Sequence, residues 1–231
     1  VTGISGRPSD PNGIWAFDIA LQRMARVGWP LNAPGSGHLP ISNPNGLPNL
    51  LRATWVGDNR IVGMTNSESA RLTVMDSTGA LLSSSASPES ILGTDSIPME
   101  QRLRISTGVR LCPRRDGIGF AMAFFAAGRI EFFDREGKWL RRADVPYASN
   151  GAFRVDSLGA VVAGRPRYYY RDCAIAGDRV FALFSGRLAK AFPGDTNHWG
   201  NFVHVFDWNN GHLLSVIHLD HPMDAIEATD D

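Results

Sequence analysis

The sequence predicts an all-β fold, a β-propeller of the six-bladed type, and three observations carry that expectation. Apolar residues alternate with a period of two along almost the whole chain. Short alternating segments end in Asp and run into glycine-bearing turns. The pattern then recurs in order at nearly constant spacing, which a sandwich has no reason to do.

In chain order, the first copy is degenerate: Ile14-Trp15-Ala16-Phe17-Asp18, without its glycine. Ile19 to Arg26 has the best helical period in the chain, about two turns, and a strand is favoured there. Residues 30–48 form a loop by their Pro, Gly and Asn content. A hairpin follows at Trp55–Val62 around Gly57-Asp58-Asn59. Next comes Arg71-Leu72-Thr73-Val74-Met75-Asp76, the turn Ser77-Thr78-Gly79 and a strand from Ala80. Residues 82–98 are again loop. The next unit repeats the plan: a hairpin around Asp116-Gly117, the strand Arg129–Asp134, the turn Arg135-Glu136-Gly137 and a strand from Lys138. The last has a hairpin around Gly177-Asp178, a loop at 188–200, the strand Phe202–Asp207 and a strand from His212. Glycine supplies the positive φ of each turn, and Asp closes it through its own side chain.

The closing aspartates, Asp18, Asp76, Asp134 and Asp207, are spaced by 58, 58 and 73 residues. Two consecutive hairpins per repeat make a propeller blade. At that spacing, 231 residues cover about four to five blades. The expectation is therefore a single β-propeller domain over 1–231, incomplete at one or both ends.

Composition excludes some functions. The 23 basic and 23 acidic residues cancel, so there is no basic excess for a general nucleic-acid binder. No apolar run approaches the roughly 20 residues of a spanning helix, and no direct membrane span is expected in this segment. Gly (24) and Pro (14) favour turns over helices. Cys112 and Cys173 are too few for a disulfide framework. They hold comparable places in neighbouring units, and equivalent points there should stand beyond the roughly 7 Å Cα limit for bridging. Two free, buried thiols are expected.

No motif supplies a catalytic constellation. His198, His204, His212, His218 and His221 cluster late in the chain, but without metal-ligand spacing. Asp58, Asp116 and Asp178 recur at matching places, as a channel metal would require, yet tight-turn roles explain them better. Ser185 lacks a paired His and acid, and there is no nucleophile elbow. No cofactor, metal or catalytic residue is expected. The most distinctive stretch is Arg165-Pro166-Arg167-Tyr168-Tyr169-Tyr170-Arg171. Arginine beside exposed tyrosine is the composition of a binding hot spot. Alternation sends Tyr168 and Tyr170 to one face and Tyr169 to the other. With Arg187 at the end of its strand, and His198 and Trp199 from the loop Ala189 to Gly200, these residues form the expected partner-binding surface. Trp139 and Trp208 are read as blade packing or further contacts.

Tyr168-Tyr169-Tyr170, the strand Arg179–Arg187 (RVFALFSGR), then Val203-His204-Val205-Phe206-Asp207-Trp208 and Ile217-His218-Leu219-Asp220 resemble the C-terminal half of bacterial TolB-like six-bladed propeller proteins. The match is best over residues 108–231. The resemblance implies a six-bladed ring in an extracytoplasmic, periplasmic compartment, secreted or held by a lipid anchor, usually with no established activity. The functional expectation is a non-catalytic protein-binding or scaffold module, including an accessory subunit on the periplasmic face of a larger membrane complex. The alternatives are a metal-dependent hydrolase of lactonase type and a periplasmic small-ligand sensor.

Overall fold

A computed structural model describes residues 3–28, 37–41, 49–65, 67, 70–85, 108–145, 153–155, 157, 161–163, 167–187 and 199–229. Among them every regular element is a β-strand. Four antiparallel four-stranded sheets follow one another along the chain. The first holds β1 (Gly3–Arg7), β2 (Asp10–Asp18), β3 (Arg23–Gly28) and β4 (His38–Pro40). The second holds β5 (Leu50–Val56), β6 (Arg60–Thr65), β7 (Leu72–Asp76) and β8 (Leu81–Ser85). The third holds β9 (Val109–Pro113), β10 (Gly119–Phe124), β11 (Arg129–Asp134) and β12 (Trp139–Asp144). A small pair, β13 (Phe153–Val155) and β14 (Val161–Ala163), precedes the fourth. That sheet holds β15 (Tyr170–Ala176), β16 (Arg179–Phe184), β17 (Gly200–Asp207) and β18 (Leu213–Met223).

Strand order equals chain order in each sheet, so each is a meander of successive hairpins. The turns are those the sequence predicts. Gly79, Gly137 and Gly211 have φ of 83°, 78° and 76°. The aspartate before each turn accepts its backbone N–H groups: Asp76 from Thr78 and Ala80, Asp134 from Glu136 and Lys138, Asp207 from Asn209. The Thr78 hydroxyl and these N–H groups hold the Asp76 carboxyl below its ordinary range. Asp18 serves the first sheet likewise, through Ala20 and Leu21. Residues 23–26 are strand, within β3.

The chain divides into two compact units. The first comprises Val1–Pro88, Pro113–Phe120 and Phe133–Trp139. Its core joins the first two sheets through Trp15, Phe17, Met24, Trp55, Ile61 and Met75. Trp15 and Trp55 meet edge to face at 5.4 Å, and Arg7 lies over the Trp55 ring while donating to the Asp58 carbonyl. The second unit comprises Glu89–Cys112, Ala121–Phe132 and Leu140–Asp231. Its core is aromatic, with Phe132, Tyr169, Tyr170, Phe184, Phe206 and Trp208. Phe132 and Trp208 meet edge to face at 5.4 Å, and Arg141 donates to the Trp208 carbonyl.

In the third sheet the middle strands are buried on both faces: every residue of β10 is buried, and all but the last of β11. The polar residues alternating with apolar ones therefore lie inside and need partners. Thr73 donates to the Gly63 carbonyl, Arg129 pairs with Glu131 at 2.9 Å, and His204 meets the Tyr170 hydroxyl at 3.1 Å.

Candidate functional site

Register in the fourth sheet brings the tyrosine–arginine stretch together with two other segments. Tyr170 pairs with Phe184, and Phe184 with Phe202. The start of β15, the end of β16 and the start of β17 thus share one end of the sheet. Arg167, Tyr168, Arg171, Arg187 and Trp199 all fall there. Arg165 and His198 lie outside the described residues.

Arg167 is exposed and donates to the Gly186 carbonyl at 2.7 Å. Tyr168 is half-buried; its ring packs on Phe125 at 4.8 Å, and its main chain bonds Gly186 and Arg187. Arg171 forms an ion pair with Asp224 at 2.5 Å. Arg187 is half-buried, and Trp199 keeps 37% of its surface. Tethered guanidinium groups and ring faces suit recognition of carboxylates and aromatic or proline-like surfaces.

Tyr169 and Tyr170 are placed differently from the sequence expectation. They are 3% and 0% exposed and belong to one core cluster rather than to opposite faces. The alternation rule fails because Tyr169 precedes the strand. Its N–H bonds the Phe125 carbonyl and its carbonyl accepts from Ser185, while the ladder shifts between Tyr170 and Asp172. Tyr170 instead closes a box with Phe184, Phe206 and His204. Burial pushes the His204 imidazole down to about 4, so it is neutral at physiological pH. Trp208 is buried packing, and Trp139 is half-buried at the start of β12.

The expectation of two free thiols is wrong: Cys112 and Cys173 form a disulfide, with Cα atoms 5.8 Å apart. The sequence estimate placed first strands of neighbouring sheets too far apart. Arg110 Nε donates to the Arg171 carbonyl at 3.0 Å, so β9 and β15 run within hydrogen-bond reach of each other.

Sequence reasoning also missed the charges beside that bond. Asp172 accepts the Ile226 N–H at 3.0 Å, which ties the segment after β18 to the first strand of the sheet. Burial pushes the Asp172 carboxyl up against the opposing pull of the Ile226 and Cys173 amides. Burial pulls the Arg110 guanidinium down, and Arg171 adds like-charge repulsion. A signal was available. Val109-Arg110-Leu111-Cys112 and Tyr170-Arg171-Asp172-Cys173 each carry an arginine two residues before the cysteine. Aligning the two copies on their cysteines sets Arg110 beside Arg171.

Among the described residues, no group of three or more His, Cys, Asp or Glu is placed to hold a metal ion. No helix there is long and apolar enough to cross a membrane. Asp116 acts in its turn, accepting the Ile118 N–H at 3.2 Å and pairing with Arg114 at 2.6 Å, whereas the Asp58 carboxylate reaches out of its turn and accepts the Ser9 N–H of the first sheet at 2.7 Å.

The WD40 β-propeller domain of Doa1 is similar in structure, with a TM-score of 0.50 at 10% identity over 95% of this chain and 55% of that one. The fold is a β-propeller. BamB from Moraxella catarrhalis matches at TM-score 0.46 and 13% identity, over 96% of this chain and 54% of that one. The glutaminyl cyclase of Myxococcus xanthus matches at 0.47 and 11%, over 94% and 70%. The chain thus spans about half the length of the BamB and Doa1 chains. No family model matches the sequence, and no curated protein does.

Proposed function

We propose that this propeller is a non-catalytic, extracytoplasmic protein-binding module. In this reading it is of the TolB-like six-bladed type and serves as an accessory subunit on the periplasmic face of a membrane complex. One observation carries the binding role: strand register gathers Arg167, Tyr168, Arg171, Arg187 and Trp199 at one end of the fourth sheet. Arginine and large aromatic side chains dominate the energetics of protein interfaces, provided that part of each stays accessible. Arg167 and Trp199 are exposed, whereas Tyr169 and Tyr170 support the surface from below. The Cys112–Cys173 disulfide supports the compartment, because structural disulfides persist in oxidising surroundings.

The test is the native mass of the protein extracted from its source in mild detergent, with identification of what migrates with it. The wild type is expected to migrate with a stable complex. Arg167→Glu combined with Trp199→Ala should reduce the co-migrating partner at least about tenfold while leaving the fold intact. A wild-type protein that runs free, or a variant that keeps every partner, would defeat the reading.

A further inference from the structure

Arg110 and Arg171 leave strands that the Cys112–Cys173 disulfide holds with Cα atoms 5.8 Å apart, so the two side chains start next to each other. The ladder of the fourth sheet shifts between Tyr170 and Asp172, which makes Arg171 the extra residue of a bulge. A bulge turns its side chain out of the regular alternation. The Arg171 carbonyl accepts Arg110 Nε at 3.0 Å. Burial lowers the proton affinity of Arg110, and the neighbouring Arg171 charge lowers it further. The counter-charges are unevenly shared. Arg171 Nε pairs with Asp224 at 2.5 Å, and the Asp224 side chain stays 53% exposed. Asp172 is turned to main chain and accepts the Ile226 N–H. Arg110 bonds only that carbonyl, and its terminal nitrogens hold no hydrogen bond among the described residues. A half-buried guanidinium with no carboxylate bonded to it is an unfavourable arrangement that an incoming anion relieves.

We infer that Arg110 and Arg171 together bind a carboxylate of the protein partner, carried on an aspartate or glutamate side chain. This rests on the reading of the protein as a binding module and adds Arg110 to its surface. Arg171 already shows the chemistry, since it holds the Asp224 carboxylate. Two guanidinium groups side by side offer N–H donors to both oxygens of one carboxylate. The covalent link fixes their strands beforehand, so the ligand has little ordering left to impose. Asp224 is the internal competitor, and it gives way on Arg171 when the partner's acid arrives. The source of the acid follows from position. Arg171 shares one end of the fourth sheet with exposed Arg167 and Trp199, so the carboxylate enters as part of a larger surface. A basic partner segment would meet like charge there.

The probe is a fluorescein-labelled peptide alternating aspartate with glycine, compared with the same peptide carrying asparagine. The aspartate peptide should bind at least about tenfold more tightly by anisotropy. Arg110→Gln should erase that preference, while Arg110→Lys should keep part of it through charge without the planar fork. Asp224→Asn removes the internal competitor and should tighten the aspartate peptide at least about threefold, a gain that a merely structural ion pair would not give. The comparison of peptides on the wild type needs no variant, so a misfolded Arg110→Gln chain does not shield the proposal. Equal or absent binding of the two peptides, an unchanged preference in folded Arg110→Gln, or no tightening in Asp224→Asn would each overturn it. Free succinate that binds more tightly than the peptide would overturn the assignment to a protein partner. A native complex that survives Arg110→Gln, yet breaks with Arg167→Glu and Trp199→Ala, would overturn this site and leave the binding role standing.

Discussion

His204 has no exposed surface, stacks on Phe184 at 4.3 Å and hydrogen-bonds the Tyr170 hydroxyl, so protonating it charges a group that water cannot reach. Its pKa falls from the ordinary 6.5 to about 4 in the folded protein. The unfolded chain therefore binds the extra proton between these values, and stability rises with pH across that window. Stability should be complete above pH 6.5 and decline as the pH falls toward 4, by at most about 1.4 kcal/mol per pH unit for this one group. His204→Phe should flatten that part of the profile in urea titrations at several pH values. Parallel profiles for wild type and variant would show that His204 is not the group responsible. At this scale the sequence was a partial guide. It placed Asp76, Asp134 and Asp207 in their turns, because an Asx turn is a local matter of a few bonds. It could not place Tyr169, whose burial depends on Phe125 and Ser185, both distant in sequence.

The hairpins that open the second and third sheets meet through their turns. Gly57 and Gly117 both have positive φ, 61° and 72°, and a Cβ on either would lie 2.8–2.9 Å from the Cα of the other. Gly177 holds the corresponding turn of the fourth sheet with φ 50°, but a Cβ there meets nothing within 4 Å. The two positions separate backbone strain from steric contact. Gly177→Ala should cost about 1 kcal/mol, from the backbone conformation alone. Gly117→Ala adds a collision with main chain and should cost roughly 2–4 kcal/mol, read by denaturant unfolding. Equal losses would show that the turns are not in contact. Repeat spacing made these hairpins legible, since each is one local unit. The β13–β14 pair and the length of β18 were not legible. Neither follows the repeat, and three-residue strands carry too little pattern to register.

In the whole molecule, the second unit is held by one long-range covalent link as well as by its aromatic core. Cys112 and Cys173 are 61 residues apart, and closing a loop of that size stabilises the folded state by about 4 kcal/mol on the chain-entropy account. The same bond favours an oxidising compartment and fixes β9 beside β15, which sets Arg110 against Arg171 under the proposed docking surface. The fold and the proposed surface and compartment therefore meet in this pair of residues. The sequence held both cysteines at matching repeat positions, but the distance between neighbouring first strands was not in it. The most direct measurement is mass spectrometry of protein taken from its native source, alkylated before any reductant is added. A crosslinked peptide pair joining Cys112 to Cys173, with reduction lowering the unfolding free energy, is the predicted result. Two alkylated thiols in freshly isolated protein would contradict the account, removing both the covalent link between β9 and β15 and the support for the proposed extracytoplasmic site of action.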